Sequence, residues 1–425
     1  MMEQKNIVAT IYLKNGKAVK GPKDFSEPCD AVELASRYND SGVDKIFLID
    51  LSDDENEHLT NIMTMRNINR SIDVKTAAGG NIKRLDDVKL YFFAGCIEVV
   101  LNGGKPDTLE LVKEAANRFG KYRILVSVDN VNFAFKTRDY IKDCVHELVL
   151  MNTDLASGIE NITSTPYILR LDKYDLDKIT ELLKSESIRG IYGDFVNDYN
   201  TDIMQLKSTL SDRGISMDNF EPKLHWSDLK TNSDGLVPVI AQDYQTGQVY
   251  MLAYMNEEAF NTTIRIGKMT YWSRSRQELW TKGLTSGHIQ YVKSLTADCD
   301  YDTILAEISQ VGGIACHTGA PSCFFNNIIQ KEYVDRSPRK IFENKLNEII
   351  KQRNEDSDVK EIFDQGIDGI LSKIGEETAE VIIAGKDSNK TDIIREVTDL
   401  IVNLMFLMSD NEITWDDITT ELATR

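Results

Sequence analysis

Over its first 220 or so residues the chain alternates short β-rich runs with amphipathic stretches of helical period. The runs include IVATIYL from Ile7, KIFLIDL from Lys45, DVKTAAGG from Asp73, CIEVVLN from Cys96, RILVSVD from Arg123 and LVLMN from Leu148. Between them lie segments such as AVELASRYNDSG and DTLELVKEAANRFG. Parallel strands need long crossovers between them, and these amphipathic segments supply them. The pattern predicts an α/β region with a parallel sheet, open or closed. Its length favours a (β/α)8 barrel over residues 1–222.

At 425 residues the chain is too long for one ordinary domain. From about Trp226 turn-rich strands appear, and LVPVIAQDYQTGQVYMLAYM reads as a hairpin about Gln245, Thr246 and Gly247. This middle block, residues 223–332, is expected to form a small α+β domain. A short polar linker is read at Asp335-Arg336-Ser337-Pro338-Arg339. From 340 to 425 apolar residues such as Ile370, Ile374, Val381 and Ile382 recur at helical spacing, which predicts an all-α domain.

Lys plus Arg number 49 against 68 Asp plus Glu, a net charge of -19 that argues against nucleic acid and anionic membranes as partners. No apolar run approaches the ~18 residues of a bilayer span, and MMEQKNIVATIYLK lacks an apolar signal core. A cytoplasmic protein is expected. Cys29, Cys96 and Cys144 are scattered and read as reduced core thiols. Cys299, Cys316 and Cys323 cluster, and in a cytoplasm that suggests metal.

The run DCDYDTILAEISQVGGIACHTGAPSCFF, from Asp298, concentrates the chemistry. Asp298, Asp300 and Asp302 suit a hard ion such as magnesium, and thiolates suit zinc. Cys316 and Cys323 are seven apart, a span one loop can close around an ion, and Cys299 would supply a third thiolate. Three protein ligands leave a fourth position open, as at catalytic zinc sites. On a strand the three aspartates would share one face, with Cys299 on the other. Taken alone, Asp-x-Asp-x-Asp also fits a solvated turn, and three cysteines also fit a structural zinc site.

The motifs YWSRSR, LWTKG, TSGHIQ, DCDYD and ACHTGAPSCF run in order through about a hundred residues. The block carrying them resembles phosphoribosyl-AMP cyclohydrolase of histidine biosynthesis. The resemblance implies hydrolytic opening of the adenine ring. Cys299, Cys316 and Cys323 would ligate zinc, Asp298, Asp300 and Asp302 would hold magnesium, and the cysteines would come from two subunits of a homodimer. His317 is the candidate general acid/base. Trp272, Arg274, Arg276, Lys282 and His288 are candidates for substrate contact, with Trp272 and Trp280 able either to stack on the base or to pack in the core. Leu284 stands where the family usually carries an acidic residue.

In SKIGEETAEVIIAG, Glu376, Glu377 and Glu380 share or adjoin one helical face, and IREVTDLIVNLMFL presents Glu396 and Asp399 three apart. Packed together, such carboxylates need a cation, and magnesium with pyrophosphate oxygens fits. KIGEETAEVIIA, REVTDLIVNL and ITWDDITTEL resemble phosphoribosyl-ATP pyrophosphohydrolase, a MazG-like helical enzyme. The resemblance implies that Glu376, Glu377, Glu380, Glu396 and Asp399 hold magnesium, that Glu377 and Glu380 position water on the α–β phosphate linkage, and that Lys373 contacts phosphate. Asn403 replaces a common His, and Ser357-Asp358-Val359 a usual Ser-Tyr-Thr.

The segment from Ile11 to Leu51 and the later TAAGGNI resemble the cyclase subunit of imidazole glycerol phosphate synthase and its sister isomerase. Tyr12 stands where that family's first-strand catalytic Asp should be, while Asp129 in SVDN matches the second acid. Loss of one half of an acid/base pair removes that chemistry, so a barrel that scaffolds or regulates is expected. Gly79 and Gly80 fit either a phosphate loop or a simple turn. The leading expectation is a bifunctional hydrolase using zinc and magnesium on phosphoribosyl nucleotides. The rivals are a zinc-stabilised scaffold, a general nucleotide pyrophosphatase, and a trifunctional enzyme whose barrel acts through Asp129 and another acid; Asp50 and Asp129 taken alone also fit structural strand-end carboxylates.

Overall fold

The computed structural model describes residues 4–104, 108–331, 337–353 and 358–423. The chain forms two compact units, residues 1–327 and 328–425.

The first unit opens with nine strands: β1 (Asn6–Lys14), β2 (Lys17–Val19), β3 (Lys45–Asp50), β4 (Lys75–Gly79), β5 (Glu98–Asn102), β6 (Ile124–Val128), β7 (Glu147–Leu150), β8 (Tyr167–Arg170) and β9 (Ile188–Tyr192). β2 folds back antiparallel on β1, the remaining strands run parallel, and β1 pairs with β9 to close an eight-strand parallel barrel. The sequence runs from Ile7 to Leu148 fall on the first six barrel strands. β8 and β9 lie outside them.

Closure fixes what each pleat does. Val8, Phe47, Ala77, Val100, Leu125, Val149, Ile168 and Tyr192, one from each barrel strand, form a buried cluster of their own. The residues of opposite parity, such as Ile7, Ile46, Leu48 and Ala78, pack against the helices. The barrel is therefore a filled core and not a pore. At the strand starts, Lys45 Nζ lies 2.6 Å from Glu98 and 3.5 Å from Glu147, all three side chains nearly buried. At the other end Tyr12 is held among Arg170 and Asp194, with its hydroxyl pKa raised mainly by burial. Arg170 itself pairs with Asp172 and Asp194.

Asp50 faces the helical layer. It is 3% exposed and bonds to His58, to Asn61 Nδ2 and to the Ser52 amide, with the Tyr91 hydroxyl 3.2 Å away. It is thus committed to a structural network. Asp129 is exposed and accepts from Asn130. Gly80 turns the chain with φ +87, and a Cβ there would come 2.1 Å from the Asp50 carbonyl oxygen.

The same unit continues with β10 (Val237–Asp243), β11 (Val249–Met255), β12 (Thr270–Ser273), β13 (Glu278–Thr281), β14 (Gln290–Ala297) and β15 (Ile304–Gln310). Four make a sheet in the order β11-β10-β15-β14, and β12 and β13 form a separate hairpin. The Tyr244–Gln248 turn joins β10 to β11, closed by Asp243 accepting from the Gln245 and Thr246 amides. Helix Glu257–Ile266, capped by Asn256, covers a core that includes Val239, Phe260, Tyr271 and Ile308. Trp280 is half-buried, packs against that core and contacts the Tyr271 ring at 5.2 Å.

The second unit is helical: Pro338–Gln352, Asp358–Asp364, Gly366–Asp387, Lys390–Asp410 and Trp415–Ala423. Pro338 sits in the first helical turn, where its missing N–H costs nothing, so Pro338 and Arg339 belong to the helix and not to a linker. Asp335, Arg336 and Ser357 lie outside the described residues. Ser388 in the left-handed conformation and Asn389 as the next N-cap turn Gly366–Asp387 back along Lys390–Asp410. Leu346, Ile349, Ile370, Met405 and Phe406 are buried at its core. No helix of the described residues is long and apolar enough to cross a membrane.

Gly80 and Gly120 both have positive φ, but nothing lies within 4 Å of a Cβ at Gly120. Gly80→Ala should destabilise the barrel by about 3 kcal/mol and Gly120→Ala by only ~1 kcal/mol. Urea unfolding monitored by circular dichroism checks this. Equal midpoint shifts would contradict the close approach.

Candidate active sites

The three aspartates converge, but not by strand alternation. Residues 298–303 form the turn between β14 and β15, so the expectation that they lie on a strand is corrected. Asp298 is the organiser, its carboxylate accepting from the Asp302 amide at 3.0 Å and the Thr303 amide at 3.2 Å. Tyr301 takes φ 65 to close the turn. Turning the chain brings one oxygen each of Asp298, Asp300 and Asp302 within 4.8 Å of one another, all on exposed side chains. Among the described residues they form a three-carboxylate group with no basic member, open to solvent. This donor set fits a hard divalent cation.

Cys316 and Cys323 meet across the loop that follows β15. Cys316 N bonds Ala320 O at 3.0 Å, Ala315 N bonds Pro321 O at 3.2 Å, and Cys323 N bonds Tyr250 O at 2.7 Å, which ties the loop to β11. The Thr318 hydroxyl donates to Cys316 Sγ at 3.1 Å. That bond and the Thr318 amide hold the Cys316 thiol below its usual range, whereas burial and the neighbouring Cys316 push Cys323 up. The two thiols lie side by side, a donor set of the kind that suits a thiophilic cation. Cys299 lies in the β14–β15 turn, is exposed, and joins no cluster with the other two within one chain.

Around the thiols, Lys282 donates to Ala315 O at 2.6 Å and so sits beside the Cys316 loop. His317 is exposed, with Nδ1 3.9 Å from Cys316 Sγ. His288 Nδ1 is 3.3 Å from Val311 O. Gly283 enables this packing: with φ +87, a Cβ would come within 2.3 Å of the His288 backbone. The Arg274 guanidinium lies 4.0 Å over the Tyr254 ring, a contact that preserves its planar fork. Arg276 pairs with Glu278 at 3.1 Å on the surface. Trp272 is half-buried, on the face of its strand opposite the buried Tyr271. Leu284 is exposed. Sequence reading passed over Thr318 and Tyr254. The first was visible only as a hydroxyl two residues after a cysteine.

The second cluster is built by the helical hairpin. Glu377 from one helix meets Glu396 and Asp399 from the next, with ligand oxygens within 4.8 Å. Burial, then Asp399, Glu396 and Glu380, raise the Glu377 carboxyl above its ordinary range, and Lys373 opposes this. Glu380 is therefore an electrostatic neighbour, while Glu376 is exposed on the same helix outside the three-oxygen group. Asn403 is 9% exposed and donates to the Asp399 carbonyl at 3.2 Å, packing beneath the cluster. Arg395, unnoticed in the sequence, donates Nε and Nη2 to Glu396 Oε1 at 3.0 and 2.6 Å.

Family models match in three places. Residues 6–165 match a histidine biosynthesis protein family, 251–325 phosphoribosyl-AMP cyclohydrolase and 339–425 phosphoribosyl-ATP pyrophosphohydrolase. The first match stops before β8. The chain is 42% identical over 193 residues to a histidine biosynthesis bifunctional protein HisIE of Lactococcus lactis, covering 45% of this chain and 88% of that protein. It is 43% identical over 203 residues to the same-named protein of Caldanaerobacter subterraneus, covering 47% and 96%. The Thermoanaerobacter pseudethanolicus counterpart is 41% identical over 210 residues, covering 46% and 97%. With near-complete coverage of those relatives, and with one acidic cluster inside each of the two hydrolase matches, the chain belongs to the family of histidine biosynthesis bifunctional HisIE proteins.

Proposed function

We propose that the protein performs two consecutive hydrolyses in cytoplasmic histidine biosynthesis. Phosphoribosyl-ATP loses pyrophosphate in the domain of residues 340–425, a MazG-like helical unit. Phosphoribosyl-AMP then undergoes hydrolytic opening of its adenine ring in the domain of residues 223–332. The observation that carries the reading is the pairing of two separate carboxylate clusters with the two family matches.

In the helical unit, Glu377, Glu396 and Asp399, with Glu376 and Glu380 beside them, are the residues that would hold magnesium. Glu377 and Glu380 orient water toward the α–β phosphate linkage, and Lys373 contacts phosphate. In the middle domain Asp298, Asp300 and Asp302 would hold magnesium, and Cys316 and Cys323 would hold zinc. A bound zinc supplies Lewis acidity toward water. His317, exposed beside Cys316, moves the proton between water and the ring nitrogen. Lys282, Arg274, Arg276, His288 and Trp272 form the surrounding substrate surface, with Arg276 released from Glu278 when a phosphate competes.

Cys299 completes the zinc site from a second copy of the chain, because within one chain it stays apart from Cys316 and Cys323. The working unit is then a homodimer. The barrel of residues 1–222 is non-catalytic: Tyr12 replaces the first acid, Asp50 is locked among His58, Asn61 and Tyr91, and the interior is filled.

Cys316→Ala should lower ring opening by at least ~100-fold and leave pyrophosphate release intact, and Glu377→Gln should do the reverse. Separate assays of the two products check this, and loss of both activities from either change in folded protein would refute the domain assignment. Mixing unfolded Cys299→Ala and Cys316→Ala chains and refolding them together should restore about a quarter of ring opening, since half the dimers carry one intact site of two. No restoration would place all three ligands in one subunit.

A further inference from the structure

One barrel side chain bonds to two strands of the cyclohydrolase sheet. Asp40, in the last turn of helix Ala31–Ser41, accepts from Lys293 Nζ at 2.9 Å and from Ser309 Oγ at 2.7 Å. Its side chain is 13% exposed and that of Lys293 22%, so the contact is largely screened from water. These two donors sit on β14 and β15, the strands joined by the Asp298–Thr303 turn.

Lys293 occupies a special position. The β14–β15 register runs Val292 opposite Ile308, then Ser294 opposite Glu307, leaving Lys293 unpaired as a bulge. A bulge re-aims its side chain and resets which face every later residue presents. Only four ladder pairs, Ser294–Glu307 to Ala297–Ile304, separate it from the carboxylate turn. The outer edge of β14 is held to the barrel as well. Gly267 O accepts from the Val292 amide at 2.9 Å, a Cβ on Gly267 would come 3.0 Å from Met204, and Lys268 pairs with Asp202 at 2.6 Å.

We propose that Asp40 is a positioning residue for the cyclohydrolase metal site. By fixing the Lys293 bulge, it sets the register that brings Asp298, Asp300 and Asp302 together and presents Cys299. The barrel thereby contributes to ring opening without touching substrate. This rests on the reading of the middle domain as the cyclohydrolase.

The test uses the full-length protein with Asp40→Ala, Asp40→Asn and, from the other side of the contact, Lys293→Met. Asp40→Ala and Lys293→Met should raise the magnesium concentration needed for half-maximal ring opening about tenfold or more, with pyrophosphate release unchanged. Asp40→Asn, which keeps an acceptor oxygen, should fall between wild type and Ala. Amide exchange should speed up in residues 294–304 and not in the helical unit. Unchanged magnesium dependence and exchange in both Asp40→Ala and Lys293→Met would overturn the proposal, as would a fall in both activities together, which marks a general folding defect. Absence of ring opening in the wild-type control would instead overturn the underlying cyclohydrolase reading.

Discussion

Both proposed sites depend on one constraint of geometry: the fold brings carboxylates of like charge from different positions to one place, with Arg395 on Glu396 as the direct basic contact at the helical site. At the Asp298 turn, three oxygens converge within 4.8 Å on the surface. At the helical hairpin, Glu377, Glu396 and Asp399 do so with partial burial, and the Glu377 pKa rises in response. Such arrangements cost free energy in the empty protein, so the surroundings must hold them. In one case backbone amides of Asp302 and Thr303 lock Asp298; in the other, two long helices joined through Ser388 and Asn389 leave no slack. On the reading proposed above, a bound divalent cation would neutralise these charges.

The barrel also presents an outer wall to the middle domain. Its interior is filled by one residue from each strand, its strand starts are sealed by Lys45 between Glu98 and Glu147, and its other mouth is occupied by Tyr12 and Arg170. On its outer wall Asp40 bonds to Lys293 and Ser309 of the cyclohydrolase sheet, and Asp202 and Met204 meet Lys268 and Gly267 beside that sheet. On the proposed reading, in which Tyr12 stands in place of one acid of a pair, the barrel keeps its packing because closure and core filling do not involve that position.

Much of this was legible in the sequence, for physical reasons. The first six barrel strands are long apolar runs bounded by turns. β8 and β9 are interrupted instead, since Tyr167–Arg170 follows Pro166 and ends on a charge, and Ile188–Tyr192 contains Arg189 and Gly190. Gly190 is there because a Cβ would come 2.5 Å from Asn6 O where the barrel closes, a long-range reason invisible locally. Cys316 and Cys323, seven apart, and Glu396 and Asp399, three apart, are neighbours in space as their spacing suggests. Alternation at Asp298, Asp300 and Asp302 suggested a strand where a turn stands, because a turn and a strand can both gather every second residue. Asp40 was beyond reach, since its partners lie more than 250 residues away.

The most direct measurement incubates purified protein with phosphoribosyl-ATP, magnesium and zinc, following pyrophosphate and the ultraviolet change of ring opening together. The account predicts that pyrophosphate appears first and the ring-opening signal follows. Folded, metal-loaded protein that gives neither signal, or ring opening without prior pyrophosphate release, would contradict it.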